Sequence, residues 1–462
     1  MGIHARPLTL YSAPMRDPAA EIAEINAPLE REAPALFRAL SPLGRRAFFP
    51  PDIPSQAAEA RGATLNGTTG QITDGRGGAV RLPALAAAFG DLPGRDLDQA
   101  LLYSPVEGLP EVRQRWREWQ RRQAPATSAE TATSLPLVTA GLSHALSLAA
   151  DLFGGEGRAV AIPQPFWGNY RQAFAVRTGA RVLTGPAYVE GRYNPRAIPE
   201  ALAAVPAGEP AVALLNVPSN PGGYTPDREE RRATIAALLA EAERRPLVVI
   251  CDDAYAGLVF APEIPRESLF WDLAGIAGVH PNLTAVKIDG ATKELAFFGG
   301  RVGFLTFAVE PDSEAARSLE SKVKMLVRSS IGSPVASSQV ILLQALRQEG
   351  IAAEVEAVRA LLQGRYEALK AALEKVDRNL LTPLPFNSGC FALVELPEKL
   401  GLDSETVRRH LLAHHDTGLI SIAPRYLRIA HCSVDAAALP ELVRRLEKAV
   451  SELASGVPDR TK

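Results

Sequence analysis

The chain has 462 residues, 47% hydrophobic and 22% charged, enough to bury two or three cores at about 150 residues per domain. Its 50 basic and 52 acidic residues leave a net charge of −2, so no bulk field favours a nucleic-acid backbone or an anionic membrane as partner. Cys251, Cys390 and Cys432 lie far apart with no CxxC pair. That argues against a disulfide framework and a structural zinc, and with no secretory leader or long apolar run in view the expected location is the cytoplasm.

In chain order, residues 17–41 read as a helical arm carrying Ile22, Ile25, Leu29 and Leu36, with breaks expected at Pro28 and Pro34 and a stop at Phe49-Pro50-Pro51. Residues 66–70 and 73–75 are rich in glycine, asparagine and threonine and form turns. Between about 110 and 310, apolar runs at 135–138, 159–162, 181–183, 211–216, 247–251, 285–288 and 302–307 read as buried strands. Amphipathic helices such as 143–152 and 227–243 alternate with them, which predicts a mostly parallel sheet covered on both faces. After Pro334 come a long helix at 352–376, with Val355, Val358, Leu362, Tyr366, Leu369 and Leu373 on one stripe, strands at 391–396 and 426–430, and a last helix at 436–453.

Open α/β sheets bind ligands beyond the carboxyl ends of their strands, so the residues just after these runs carry the functional information. Thr139-Ala140-Gly141-Leu142-Ser143 is a glycine turn opening a helix, where free N–H groups favour a phosphate, although a tight strand-to-helix turn also calls for glycine. Trp167 in Trp167-Gly168-Asn169-Tyr170 sets an indole where it can stack on a planar ring, or else pack in a core. Asn220, in Asn216-Val217-Pro218-Ser219-Asn220-Pro221-Gly222-Gly223, offers an amide donor on a polar turn.

The run ending at Cys251 leads straight into Asp252-Asp253-Ala254-Tyr255, and a carboxylate there needs a cationic partner. Asp252 fits that role, whereas Asp253 suits an exposed turn. Lys293 follows in Asp289-Gly290-Ala291-Thr292-Lys293, where a lysine of lowered pKa can form an imine, and Arg301 stands eight residues on among glycines, a fork for phosphate oxygens.

In this order and spacing, from about Tyr103 to Arg428, the motifs resemble the class I/II aminotransferases, fold type I pyridoxal-phosphate enzymes, and are similar to the aspartate aminotransferase branch. The resemblance implies an α/β fold: a large domain (101–334) with a mostly parallel seven-stranded sheet, and a smaller α/β domain built from the two chain ends (1–100 and 335–462). It implies that Lys293 carries the cofactor as a Schiff base, that Asp252 partners the pyridine nitrogen and that Asn220 and Tyr255 bind the phenolic oxygen. Trp167 would stack on the ring, and Gly141, Leu142, Ser143 and Arg301 would hold the phosphate. Tyr103, in Tyr103-Ser104-Pro105-Val106-Glu107-Gly108, is similar to the tyrosine that reaches the phosphate of a neighbouring subunit, and so implies a homodimer with shared sites. Arg428 resembles the clamp on the substrate α-carboxylate, with Asn220 and Trp167 beside the substrate.

Arg328, six residues before Pro334, resembles more loosely an arginine that crosses the interface to bind a side-chain carboxylate, which would make aspartate or glutamate a donor. Gly290 departs from the family pattern, standing where many relatives place a phosphate-binding serine, so Thr292 or water must replace that contact. The implied activity is ping-pong transfer of an amino group from an amino acid to a 2-oxo acid, with no metal. A β-eliminating lyase or decarboxylase would use the same lysine and aspartate. A dehydrogenase or binding protein fits poorly, because no Gly-x-Gly-x-x-Gly follows the first strand.

Overall fold

The computed structural model describes residues 18–48, 52–75, 77–90, 92–128, 130–422 and 424–456, so the chain start and the expected stop at 49–51 lie outside the described residues. All seven expected strands of the large sheet form: β1 (Leu137–Thr139), β2 (Ala159–Gln164), β3 (Arg181–Pro186), β4 (Ala211–Asn216), β5 (Leu247–Asp252), β6 (Leu283–Gly290) and β7 (Gly303–Phe307). They pair in the order β1-β7-β6-β5-β4-β2-β3. Only β7 runs against its neighbours.

The strands read as unbroken apolar runs because both faces of the sheet are covered. Successive residues point to opposite faces. Accordingly, Val160, Ile162, Val212, Leu214, Ile250 and Val286 pack in one core with Ala145, Leu146 and Ala149 of the helix Leu142–Phe153. Ala159, Ala161, Ala213, Leu215, Val249 and Ala285 pack in another with Leu238 of the helix Arg228–Ala242 and Phe270 and Leu273 of the helix Phe270–Ala277. Each fully buried Val, Leu or Phe contributes about 1.5–3 kcal/mol.

A second, antiparallel sheet is made of β8 (Thr382–Pro383), β9 (Phe391–Glu395), β10 (Ile420–Ile422) and β11 (Tyr426–Ala430), in the order β8-β9-β11-β10. Leu373 of the long helix Ile351–Leu373, Leu411 of Ser404–His415 and Leu446 of Leu439–Ala454 share one core with that sheet. The early chain joins it. Leu65–Asn66 pairs with Thr417–Gly418, and Gln56 exchanges hydrogen bonds with the Ser421 backbone at 2.7 and 3.2 Å.

Pro28 does not break the arm: it lies inside the helix Pro18–Glu32. Pro28 and Glu24 are both exposed, so the carbonyl that loses its partner one turn back faces water. The break falls at Ala33, before Pro34, with φ −137° and ψ 58°, because a residue preceding proline is pushed out of the helical region. The helices Pro83–Gly90, Gly94–Leu101, Pro110–Arg122 and Ala336–Leu346 were not expected from the sequence.

Candidate active site

Beyond the carboxyl ends of β1, β2, β4, β5 and β6 opens a cleft, the place where open α/β sheets bind their ligands. Of the residues singled out in the sequence, Leu142, Ser143, Trp167, Asn220, Asp252, Tyr255, Lys293 and Arg301 line it. Gly141 sits directly behind as the cap of the helix Leu142–Phe153. The four other lining residues are Tyr170, Asn216, Ala254 and Thr292. Tyr170 lies three residues after Trp167, in the short helix Asn169–Arg171, and its place in the same polar and aromatic run was the readable signal for it.

Asp252 closes β5 and is buried. Tyr170 Oη donates to its Oδ2 at 2.5 Å and the Ala254 N–H to its Oδ1 at 3.1 Å. Asn216, its register partner on β4, donates from Nδ2 to the Asp252 carbonyl at 2.8 Å and accepts the Asn220 N–H at 2.6 Å. The polar turn is thus tied to the strand end that holds the carboxylate. Burial raises the Asp252 pKa above the usual carboxylate range, opposed by the Tyr170 hydrogen bond and by Lys293.

Asp253 is not on an exposed turn. It is buried and pairs with the buried Lys287 of β6, which also lies 3.6 Å from Asp289. Trp116 Nε1 (3.0 Å) and Gln120 Nε2 (2.9 Å) donate to Asp289. Burial opposes the charge on Lys287, but the two carboxylates outweigh it and keep the ammonium above the ordinary lysine range. Neighbouring carboxylates therefore have separate duties: Asp252 faces the cleft and Asp253 a sealed ion-pair network. Glu294, next to Lys293, lies in the same buried layer, accepting from Trp119 Nε1 at 2.6 Å and from Gln123. Burial lifts its pKa to about 7.

Lys293 opens to the cleft from the short helix Ala291–Glu294, its Nζ 5.3 Å from the Tyr255 ring centre. Desolvation lowers its pKa, with Asp252 pulling the other way. Arg301 takes the left-handed conformation, φ 53°, at the rim. Gly141 has φ +83°, and a Cβ there would come within 2.5 Å of the Arg301 guanidinium, so glycine at this cap leaves room for the arginine over the turn. At Gly290, a Cβ would lie 2.6 Å from the Val302 carbonyl oxygen and 2.8 Å from the Gly303 Cα. The closeness of β7 excludes a serine there. Thr292 Oγ1 is buried in the same wall without a hydrogen-bond partner among the described residues, a donor available to a ligand.

Arg428 is buried on β11 with its guanidinium 4.3 Å from the Phe391 ring centre. It donates to Asn220 Oδ1 at 3.1 Å and to the Thr68 carbonyl at 2.7 Å, which brings the loop around Thr68 to the site. Its Nε has no partner among the described residues. Tyr103 is 97% exposed and Arg328 is exposed on the helix Glu314–Ser330; neither lines the cleft. Their segments nevertheless adjoin. Ser104 Oγ donates to the Pro334 carbonyl at 2.8 Å, and His144, which accepts the Ala140 N–H on Nδ1 at 3.1 Å, meets Ser330 Oγ through Nε2 at 3.2 Å.

The profile of the family aminotransferase class I and II matches residues 68–446. A 2-aminoadipate transaminase of Thermus thermophilus is 30% identical over 366 residues, covering 77% of this chain and 82% of that protein. An aspartate aminotransferase of Pyrococcus abyssi is 24% identical, covering 77% of this chain and 86% of that protein. Among solved structures, the α-aminoadipate aminotransferase of Thermus thermophilus, complexed with N-(5'-phosphopyridoxyl)-L-leucine, superposes with a TM-score of 0.72 at 24% identity over 91% of this chain and 99% of that one. The aspartate aminotransferase of the same organism, with maleate, gives 0.71 at 21% identity over 89% of this chain and all (100%) of that one. With a family match across most of its length and the seven-stranded sheet to go with it, the chain belongs to the class I and II aminotransferases, the pyridoxal-phosphate-dependent transaminases of this fold.

Proposed function

We propose that this cleft is where the chain performs transamination, with Lys293 as the cofactor's anchor and proton carrier. The observation that supports it best is the placing of a desolvated lysine amine and a buried carboxylate, Lys293 and Asp252, in one cleft. Their surroundings fit pyridoxal phosphate. The Thr292 hydroxyl has no hydrogen-bond partner among the described residues, Gly141 leaves space for Arg301, and Leu142 and Ser143, which open a helix, line the cleft, a helix start being a favourable place for a phosphate.

In this reading Ser143, Thr292 and Arg301 hold the phosphate, Asn220 and Tyr255 the phenolic oxygen, Trp167 one ring face and Asp252 the ring nitrogen. When bound, pyridoxal phosphate supplies an aldehyde that condenses with amines and a ring that draws electrons from the substrate Cα. Burial keeps the Lys293 amine less protonated than an exposed lysine, so that it can take up the Cα proton and return it. Asp252, fixed by Tyr170 and the Ala254 N–H, holds a positive charge opposite it. Arg428 offers a guanidinium to the substrate α-carboxylate, with Asn220 as its current partner. The domain division at about 100 and 334 belongs to the same reading, with the helix Ala336–Leu346 as the seam, since its Val340 and Leu343 pack into the large-domain core.

The same reading includes a homodimer with shared sites. Phe89, Leu101, Leu102, Tyr103, Met325 and Val335 are large apolar side chains left exposed, which a dimer interface would cover. Tyr103 and Arg328 would then reach the neighbouring cleft, and Arg328 would take the side-chain carboxylate of aspartate, glutamate or a similar donor; the names of the relatives favour such dicarboxylic substrates. Three buried unpaired cysteines support the cytoplasm as location, and no helix among the described residues is long and apolar enough to cross a membrane.

The test is product analysis. Glutamate or aspartate with a second 2-oxo acid should give equal amounts of new amino acid and new oxo acid. Release of ammonia or carbon dioxide in place of a new amino acid would contradict the reading.

A further inference from the structure

The small domain carries a cluster that the cleft does not use. The helix Ser404–His415 ends in His410, His414 and His415, and Glu452 projects from the helix Leu439–Ala454 packed beside it. His410 Nε2 and His415 Nε2 lie 2.9 and 2.8 Å from one and the same atom, Glu452 Oε2. The three ligand atoms all fall within 4.8 Å of one another. A tetrahedral ion with bonds of about 2.0–2.2 Å sets its ligand atoms about 3.3–3.6 Å apart, so only small side-chain rotations separate this cluster from a coordination shell.

The surroundings leave a place for the ion. The side chains of His410, His415 and Glu452 are 19%, 8% and 32% exposed, so the two imidazoles are largely fixed while solvent can supply a fourth ligand. Lys448 Nζ stands 3.7 Å from the other carboxylate oxygen, Oε1. Arg445 is engaged with Glu441 at 2.8 Å and with the His415 carbonyl at 2.9 Å. The His414 ring lies against His410 with centres 4.4 Å apart.

We propose that His410, His415 and Glu452 form a binding site for one divalent ion of the zinc class, which ties the helix Ser404–His415 to the C-terminal helix. Two imidazole nitrogens with one carboxylate oxygen select zinc, cobalt(II), nickel or copper(II) over magnesium and calcium, which prefer oxygen throughout. None of the three residues lines the cleft. The ion's effect is therefore on stability: it binds the folded chain, in which the two helices are adjacent, more tightly than the unfolded one.

The test uses untagged, cofactor-loaded protein stripped of metal with a chelator, then titrated with Zn²⁺ and, for its spectrum, Co²⁺. The expected result is one ion per chain, the strong visible bands of four-coordinate cobalt, and a melting temperature that rises with zinc while turnover stays constant. Glu452→Gln keeps the size of the side chain and its hydrogen bonding, and His410→Asn removes a second ligand. Each should weaken binding at least about tenfold and abolish the thermal shift, with circular dichroism and turnover as in the wild type. Undiminished binding in both variants would put the ion elsewhere, and no stoichiometric binding below about 0.1 mM Zn²⁺ to the wild type would overturn the proposal outright.

Discussion

Tyr170 donates its phenolic hydrogen to Asp252 at 2.5 Å, with both side chains buried. It is a positioning residue, acting on the cleft through the carboxylate it holds. Removing the hydroxyl leaves one oxygen of a buried carboxylate short of a donor, at a cost of about 1–3 kcal/mol. Tyr170→Phe should lower kcat roughly tenfold while the cofactor stays bound. Because the hydrogen bond favours the ionised carboxyl, its loss should also move the acid limb of the pH–rate profile to higher pH. An unchanged limb with lower activity would reduce Tyr170 to packing.

Asp252→Asn should retain the cofactor and slow Cα proton removal far more than it slows binding, since an amide cannot hold a positive charge opposite it. Asp253→Asn should fail differently. It strips Lys287 of its closest counter-charge, and breaking a buried pair costs about 3–5 kcal/mol, so stability should drop before chemistry does. Single-turnover rates and urea melts on the two variants separate these outcomes, and an exchange of phenotypes would reverse the assignment.

Glu294 gives a pH signature. Its pKa is lifted to about 7 in the folded chain, from an ordinary value of 4.5, by burial. Between those values the folded state binds the proton that the unfolded state has released, so this group's contribution to stability falls as pH rises from about 4.5 through 7. Glu294→Gln keeps an acceptor for Trp119 and removes the titration. Its stability relative to wild type should improve across that interval by up to about 3 kcal/mol, read from urea unfolding at pH 5 and pH 8. A constant difference between the two pH values would show that Glu294 does not titrate there.

Arg328 tests substrate and assembly together. A guanidinium that meets a desolvated carboxylate through two hydrogen bonds is worth about 2–5 kcal/mol. Arg328→Leu should therefore cut kcat/KM for aspartate or glutamate at least about tenfold and leave alanine nearly unchanged. Equal losses for both donors would assign Arg328 to packing. Activity should also fall on dilution as protomers part; constant activity in a demonstrated monomer would remove the shared-site reading.

The large sheet was legible because covered parallel strands read as unbroken apolar runs, and the site because polar residues interrupt those runs at their carboxyl ends, as at Asn216 and Asp252. The helices that Pro83 and Pro110 open were not expected, although proline suits a first helical turn, where a missing N–H costs nothing. Ala336–Leu346 was hidden for another reason, being buried nearly all round, so that no polar face marks its period. Lys287 and the cluster of His410, His415 and Glu452 depend on partners 34 to 42 residues away; no local pattern announces such pairings.

The central claim is that Lys293, and no other lysine, anchors the cofactor. Lys287 is the informative competitor, a buried lysine close by in sequence but held as an ammonium between Asp253 and Asp289, whereas Lys293 is desolvated toward the neutral amine. Borohydride reduction of the cofactor-loaded protein, followed by peptide mapping, should place a single pyridoxyl group on Lys293, and Lys293→Ala should bind cofactor without acquiring the label. A pyridoxyl group on Lys287 or any other lysine of the wild type would contradict the account.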